Sequence, residues 1–148
     1  MKTIDKILIK APWRLVFRAA AEVERWPGLL SHYRHVQVLS GRAPKRNVLM
    51  AAHRDGIPCQ WTAVQIQYPA QKKIYYLHTR SRFTQGMKVW WIFKPKGPRM
   101  TEVLLTHDRL PAANVLRRFF DQKIIAEKFV HNIAAKTLAG LKRHLERP

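Results

Sequence analysis

Glu24-Arg-Trp-Pro-Gly-Leu-Leu-Ser-His-Tyr33 places a tryptophan and a tyrosine on either side of a proline break. A phenol ionises near pH 10, so Tyr33 is a proton donor at neutral pH and could protonate a ligand carbonyl. The plainer reading is a half-buried tyrosine at a helix end with its hydroxyl in water. Trp61, Ala63 and Gln65 alternate, so they share one face of a strand. On a cavity wall Trp61 would stack against a ligand and Gln65 would be a polar handle. In a filled core Gln65 would be satisfied by neighbours, since an unpartnered buried amide costs on the order of 1–3 kcal/mol. Of seven histidines, His53, His78 and His107 fall on three predicted strands and could point the same way. Three separate surface or hydrogen-bonded histidines are the commoner outcome. No acidic residue stands at metal-ligand spacing and there is no cysteine cluster, so neither a metal nor a cofactor is expected. His107 and Asp108 are adjacent on a strand and face opposite ways, so they form no dyad. No nucleophile pattern or glycine-rich phosphate loop is present.

The elements that must position these groups are legible from periodicity. Thr3 to Lys10 reads as a strand, and Pro12 suits the first position of a helix. Val16, Phe17, Ala20 and Val23 carry helical spacing over Trp13 to Arg25. Pro27 should end that helix, with a short second helix over Gly28 to Tyr33. Six strands follow: His35–Leu39, Val48–Arg54, Gln60–Tyr68, Ile74–Arg80, Met87–Lys94 and Thr101–Asp108. Turn residues separate them, as in Asp55-Gly-Ile-Pro58 and Pro95-Lys-Gly-Pro98, and the short spacings imply antiparallel hairpins. Ala112 to Glu146 reads as one long helix. Its apolar positions are Leu116, Phe119, Ala126, Val130, Ile133, Leu138, Leu141 and Leu145, with Arg117, Arg118, Lys128, Lys136, Lys142 and Arg143 opposite. Gly140 should weaken it locally. The expected fold is α+β: about seven curved antiparallel strands wrapped around a long C-terminal helix, with a cavity between them.

The 148 residues suit a single domain spanning 1–148. Lys and Arg total 28 against 9 Asp and Glu, a net charge of +19 that favours an anionic partner: nucleic acid, an anionic membrane surface or an acidic protein. Cys59 is the lone cysteine, so no internal disulfide is expected. The N-terminus lacks the apolar core of a signal peptide, and no apolar run approaches the roughly 20 residues of a membrane span. A cytoplasmic location is expected. Lys72-Lys-Ile-Tyr-Tyr-Leu-His-Thr-Arg-Ser-Arg82 interleaves basic and aromatic residues, the composition of a nucleic-acid stacking surface. Alternation sends Ile74, Tyr76 and His78 to one face and Lys73, Tyr75 and Leu77 to the other, which favours an ordinary strand with charge outside. Trp90 and Trp91 face opposite sides. The outward one is flanked by Lys88 and Lys94, and marks a contact surface or simply covers a neighbour.

The Trp-Pro elbow, Ala11-Pro12, Trp61-Thr-Ala-Val-Gln65, Met87-Lys-Val-Trp-Trp91, Thr101-Glu-Val and the terminal Leu138-Ala-Gly-Leu resemble the START/Bet v 1-like (SRPBCC) helix-grip superfamily. Within it the chain resembles the polyketide aromatase/cyclases. The resemblance implies a hydrophobic small molecule (lipid, quinone or polyketide-like aromatic) held between sheet and helix, by a carrier or a cyclase-like protein. It also implies a cavity lined by Trp26, Tyr33, Trp61, Ala63, Gln65, His78, Trp91, Phe129 and Ile133, with Trp91 the inward member of its pair. The family's cyclases carry Trp-x-Ser-x-Arg on a central strand. Here Trp61 remains, while Ala63 and Gln65 replace the serine and the arginine. An always-charged fork thus becomes a neutral amide. If chemistry occurs it would be aldol cyclisation and dehydration of a carrier-bound poly-β-keto chain, with Tyr33 as donor and Gln65 orienting the chain. The basic surface would then dock an acidic acyl carrier protein. A third reading, from a superfamily branch of ribosome-associated toxins, sets the basic face of the last helix against RNA.

Overall fold

The computed structural model describes residues 2–54, 56–81, 84–109 and 123–147, without the side chains of Arg54, residues 123–127 and Phe129. Strand β1 (Lys2–Ile9) leads into α1 (Trp13–Ala21), a 3-10 turn (Val23–Arg25) and α2 (Trp26–Leu29). Six strands follow: β2 (Tyr33–Arg42), β3 (Lys45–Arg54), β4 (Ile57–Tyr68), β5 (Lys73–Ser81), β6 (Lys88–Gly97) and β7 (Met100–Asp108). Helix α3 is described over Lys123–Leu145. The strands form a seven-stranded sheet in the order β1-β7-β6-β5-β4-β3-β2, and every neighbour is antiparallel.

Alternation fixes which side of the sheet becomes core. Val89, Trp91 and Phe93 on β6, and Val103 and Leu105 on β7, are buried together with Ile74 and Tyr76 on β5. Helix α3 adds Val130, Ile133, Ala134, Leu138 and Leu141 from one stripe. α1 adds Val16, Phe17 and Ala20. Each inward side chain of this size contributes roughly 1.5–3 kcal/mol by leaving water. Among the described residues no helix is long and apolar enough to cross a membrane.

The elbow differs from its expected form. The first helix stops at Ala21, and the second spans Trp26–Leu29 rather than Gly28 to Tyr33. Pro27 sits in the first turn of α2, where its missing N–H would have no partner anyway, so Trp26-Pro27 opens a helix instead of closing one. Tyr33 therefore begins β2, opposite Ala52 of β3, and is not at a helix end. The strands also run longer than their periodicity suggests, because pairing carries β2 and β3 to a tight hairpin at Arg42 and Lys45. Gly41 is needed there: its φ is +80°, and a Cβ would stand 2.6 Å from the Lys45 carbonyl oxygen. The expected helical positions Leu116, Arg117, Arg118 and Phe119 lie outside the described residues.

Gly140 has a packing role that its helix propensity hides. A Cβ there would collide with Cδ2 of Leu30, a side chain buried between elbow and helix. The missing side chain is what lets the elbow close on α3. Gly140→Ala should thus cost about 1–3 kcal/mol by overpacking, despite a gain of up to about 1 kcal/mol in propensity. Urea denaturation checks this; a stabilised variant would refute the close-packing account.

Candidate functional site

The cavity lies between the inner face of the sheet and α3 and encloses about 70 Å³. Trp26 comes from the elbow, Tyr33 from the start of β2, Trp61 from β4, and Trp91 from β6. These rings form one wall by direct contact. Trp26 meets Tyr33 edge-on at 5.0 Å between centroids, Trp91 lies 5.9 Å from Trp26, and Tyr33 meets Trp61 at 6.2 Å. The indole Nε1 of Trp26 donates to the Ala19 carbonyl at 2.9 Å, which turns its apolar body inward. Val130, Ile133 and Ala134 close the helix side. Among the described lining residues none is charged at neutral pH.

The polar groups of the lining are neutral and oriented. His78 Nδ1 lies 2.8 Å from Thr84 Oγ1, and that hydroxyl donates in turn to Ser81 Oγ at 2.6 Å. The threonine proton is thus committed, so His78 donates from Nδ1 and its lone pair is on Nε2. The ring stacks on Trp61 at 5.5 Å and 11°. Burial, helped by nearby His107, pushes the His78 pKa down to about 3. Burial alone pushes His107 down to about 4. Among the described residues the buried Nδ1 of His107 has no hydrogen-bond partner.

On the opposite side the Thr137 hydroxyl donates to the Ile133 carbonyl at 2.7 Å and lies 2.9 Å from His32 Nε2. With its own proton committed, it must accept from the imidazole. Burial and then the charge of Lys136 push His32 down to about 4, so the donor is a neutral ring. Burial drives the Tyr33 pKa well above the usual phenol range, which nearby Thr137 offsets only in part. Tyr33 therefore remains protonated at any physiological pH. Cys59, also in the lining, is pushed up to about 11 by burial and stays a thiol.

The structure places Trp26, Tyr33, Trp61, His78, Trp91 and Ile133 in the lining of the cavity. Tyr33 is buried, so the half-exposed reading with its hydroxyl in water does not hold. The side chain of Phe129 lies outside the described residues. Ala63 and Gln65 are corrections: both are buried on the expected face, but neither lines the cavity. Gln65 lies further along β4, beneath the end of α1. Its Nε2 donates to the Ala21 carbonyl and to the Tyr76 hydroxyl, each at 2.8 Å. Its Oε1 accepts from Arg46 Nε at 2.9 Å and from Gln67 at 3.1 Å. Fully engaged by protein, the amide has nothing left for a ligand.

His107, Cys59 and Thr137 also line the cavity. The parity of Thr101, Val103, Leu105 and His107 held the signal for the first, since the three before it are buried. Thr137 follows Ile133 by one helical turn. His53 faces elsewhere and does not join His78 and His107. Among the described residues no group of His, Cys, Asp and Glu could hold a metal ion.

No family model matches the sequence. A 102-residue stretch, 68% of the chain, is 24% identical to the granaticin polyketide synthase bifunctional cyclase/dehydratase of Streptomyces violaceoruber. The match spans only 32% of that relative's length. Among solved structures, the Zhui aromatase/cyclase from Streptomyces sp. R1128 superposes with a TM-score of 0.88 at 19% identity, covering 99% of this chain and 94% of its own. A START superfamily protein from Mycobacterium smegmatis superposes at 0.76 and 13% identity, over 98% of this chain and 97% of its own. This is the START/Bet v 1-like helix-grip fold. In this chain the aromatic wall lines the cavity, while Gln65 clamps the end of α1.

Proposed function

We propose that this chain binds a neutral, aromatic or polyketide-like small molecule in the helix-grip cavity and acts on it in the manner of a polyketide cyclase. The observation that carries the reading is the uncharged enclosure itself: Trp26, Trp61, Trp91 and Tyr33 face two neutral imidazoles. Flat apolar rings stack on such a wall. His78 Nε2 can accept from a phenol or enol, the unpartnered His107 Nδ1 offers a second polar contact, and Tyr33 can donate to a carbonyl. In an aldol closure an α-proton leaves to an imidazole, the enolate carbon attacks a ketone carbon, and the resulting alkoxide takes a proton from Tyr33, which recovers one from the imidazolium. A second α-proton and the new hydroxyl then leave as water, and the enone enolises to the aromatic ring. Histidines held this far below neutrality are weak bases, so most of the rate would come from folding the chain into a near-attack shape. The likeness to aromatase/cyclases and to a cyclase/dehydratase supports the substrate class, and the +19 charge suits docking of an acidic acyl carrier protein.

A carrier without chemistry is the second reading, favoured by the loss of Gln65 to the clamp. One titration and one assay separate them. Neutral polyhydroxylated naphthalenes or anthraquinones should quench tryptophan fluorescence saturably, and Trp61→Ala should weaken binding about tenfold, the scale of one aromatic pair. No saturable binding would overturn the proposal. Binding with release of cyclised product from a carrier-bound poly-β-keto chain supports the cyclase, and binding without turnover supports the carrier.

A further inference from the structure

The described helices pack on one side of the sheet, and the outer side has an unusual composition. Tyr68, Tyr75 and Trp90 form an aromatic plate there across three consecutive strands, β4, β5 and β6. Tyr75 and Trp90 are register partners, 4.7 Å apart between ring centroids, and Tyr68 stacks on Trp90 at 6.0 Å and 30°. The same rows continue through Ile66 on β4 and Thr106 and Ile4 on β7 and β1. Lys73 stands over the Trp90 ring at 5.9 Å. Lys2, Lys6, Lys88 and Lys94 are exposed on the same face. Its acidic residues are Glu102 and Asp108, opposite Lys94 and Lys88 in register. The cavity has no use for this plate, because these side chains point away from it.

We propose that this outer face binds single-stranded nucleic acid. Partly exposed rings on neighbouring strands offer stacking sites to unpaired bases, and stacking tolerates any sequence because every base has a π-face. Lysines beside the plate supply phosphate contacts, and the net charge of +19 draws a polyanion to it. A protein partner fits less well, since lysine is depleted in protein interfaces while here it interleaves with the aromatics. Ile4 and Leu8 are exposed on the same face, but on the edge strand β1, two strands away from the plate. This surface is separate from the basic face of α3, and the inference does not rest on the cavity's ligand.

The test is fluorescence anisotropy with labelled oligouridylate and oligothymidylate of about twelve nucleotides, within the usual site size of one sheet platform. Binding should weaken steeply between about 50 and about 200 mM salt. A duplex of equal length should bind more weakly than the single strands. Trp90→Ala and Tyr75→Ala should each weaken binding roughly 5- to 100-fold, the range for one lost base stack. Lys73→Gln and Lys88→Gln should each lower the salt slope by about 0.7. Far-UV circular dichroism and the cavity titration, both unchanged, would show that the variants fold. Absence of binding at low salt overturns the proposal, as does binding indifferent to both aromatic variants. Equal affinity for duplex, or competition by phosphatidylglycerol vesicles weakened by the same variants, would assign the face to bare charge or to lipid.

Discussion

Acidification from pH 7.5 to pH 5 should strip this protein of several kcal/mol of stability. The cause lies in histidines buried neutral. His78 sits at about 3 in the folded protein against about 6.5 when exposed, a depressed cation. Between those values the unfolded chain binds a proton that the native state refuses, so stability falls as pH drops. The contribution is complete above about pH 6.5 and is lost progressively below it. At pH 5 His78 alone costs about 2 kcal/mol. His32 and His107, both lowered to about 4, act in the same direction, and because pH 5 still lies above that value their terms there are of similar size. Asp5 opposes them: burial raises its pKa, so its protonation restores some stability as pH falls. Thermal melts across this interval should show the midpoint falling by several degrees per unit, and His78→Gln should flatten the profile. A midpoint constant from pH 7.5 to 5 would mean that these rings reach water.

Local pattern carried most of the fold. Alternation on Ile74, Tyr76 and His78, on Val89, Trp91 and Phe93, and on Val103 and Leu105 marks one face of three strands, and all are buried. Helical spacing marks Val130, Ile133, Leu138 and Leu141, which are buried against that face. Short turns between strands leave little topology other than a meander. Long-range partners were not legible. His32 is fixed by Thr137, over a hundred residues away in sequence, and no periodicity announces that contact. Gln65 shares the inward face of Trp61, as alternation demands, yet a strand of twelve residues runs past the end of a small cavity. Parity gives the face and not the depth along it. The same limit applies to the outer plate: alternation sends Tyr75 and Trp90 outward, but only the register of β5 against β6 makes them partners.

Depth along β4 also governs the second large effect. Gln65, Arg46 and Tyr76 tie off the carbonyl end of α1. Ala19 is capped by Trp26 Nε1, Ala20 by the Tyr76 hydroxyl, and Ala21 by both Gln65 Nε2 and a guanidinium nitrogen of Arg46. Arg46 also reaches Glu24 on the 3-10 turn, so one cation fastens the elbow that carries Trp26. A positive group suits a helix C-terminus, where the carbonyl dipoles converge. Gln65→Leu keeps the volume but strands Arg46 Nε and removes a donor from Tyr76 and Ala21. With about 1–3 kcal/mol per orphaned buried group, a loss of about 3 kcal/mol is expected. Gln65→Arg is the sharper case, because it puts an arginine where the cyclase-like pattern has one. Here Arg46 Nε already lies 2.9 Å from the position 65 side chain, and Ala21 is already capped. Two guanidiniums would share one buried node, so this variant should be at least as unstable as Gln65→Leu and should show no gain in cyclisation. The exchange Arg46→Gln with Gln65→Arg keeps one cation and one amide between the paired strands. It should recover more than half of the loss, with a coupling energy toward the upper end of about 0.5–3 kcal/mol in a double-mutant cycle. Urea denaturation of the four proteins measures that coupling. If Gln65→Arg alone costs less than about 1 kcal/mol, or the exchange recovers nothing, the clamp is not what holds the elbow.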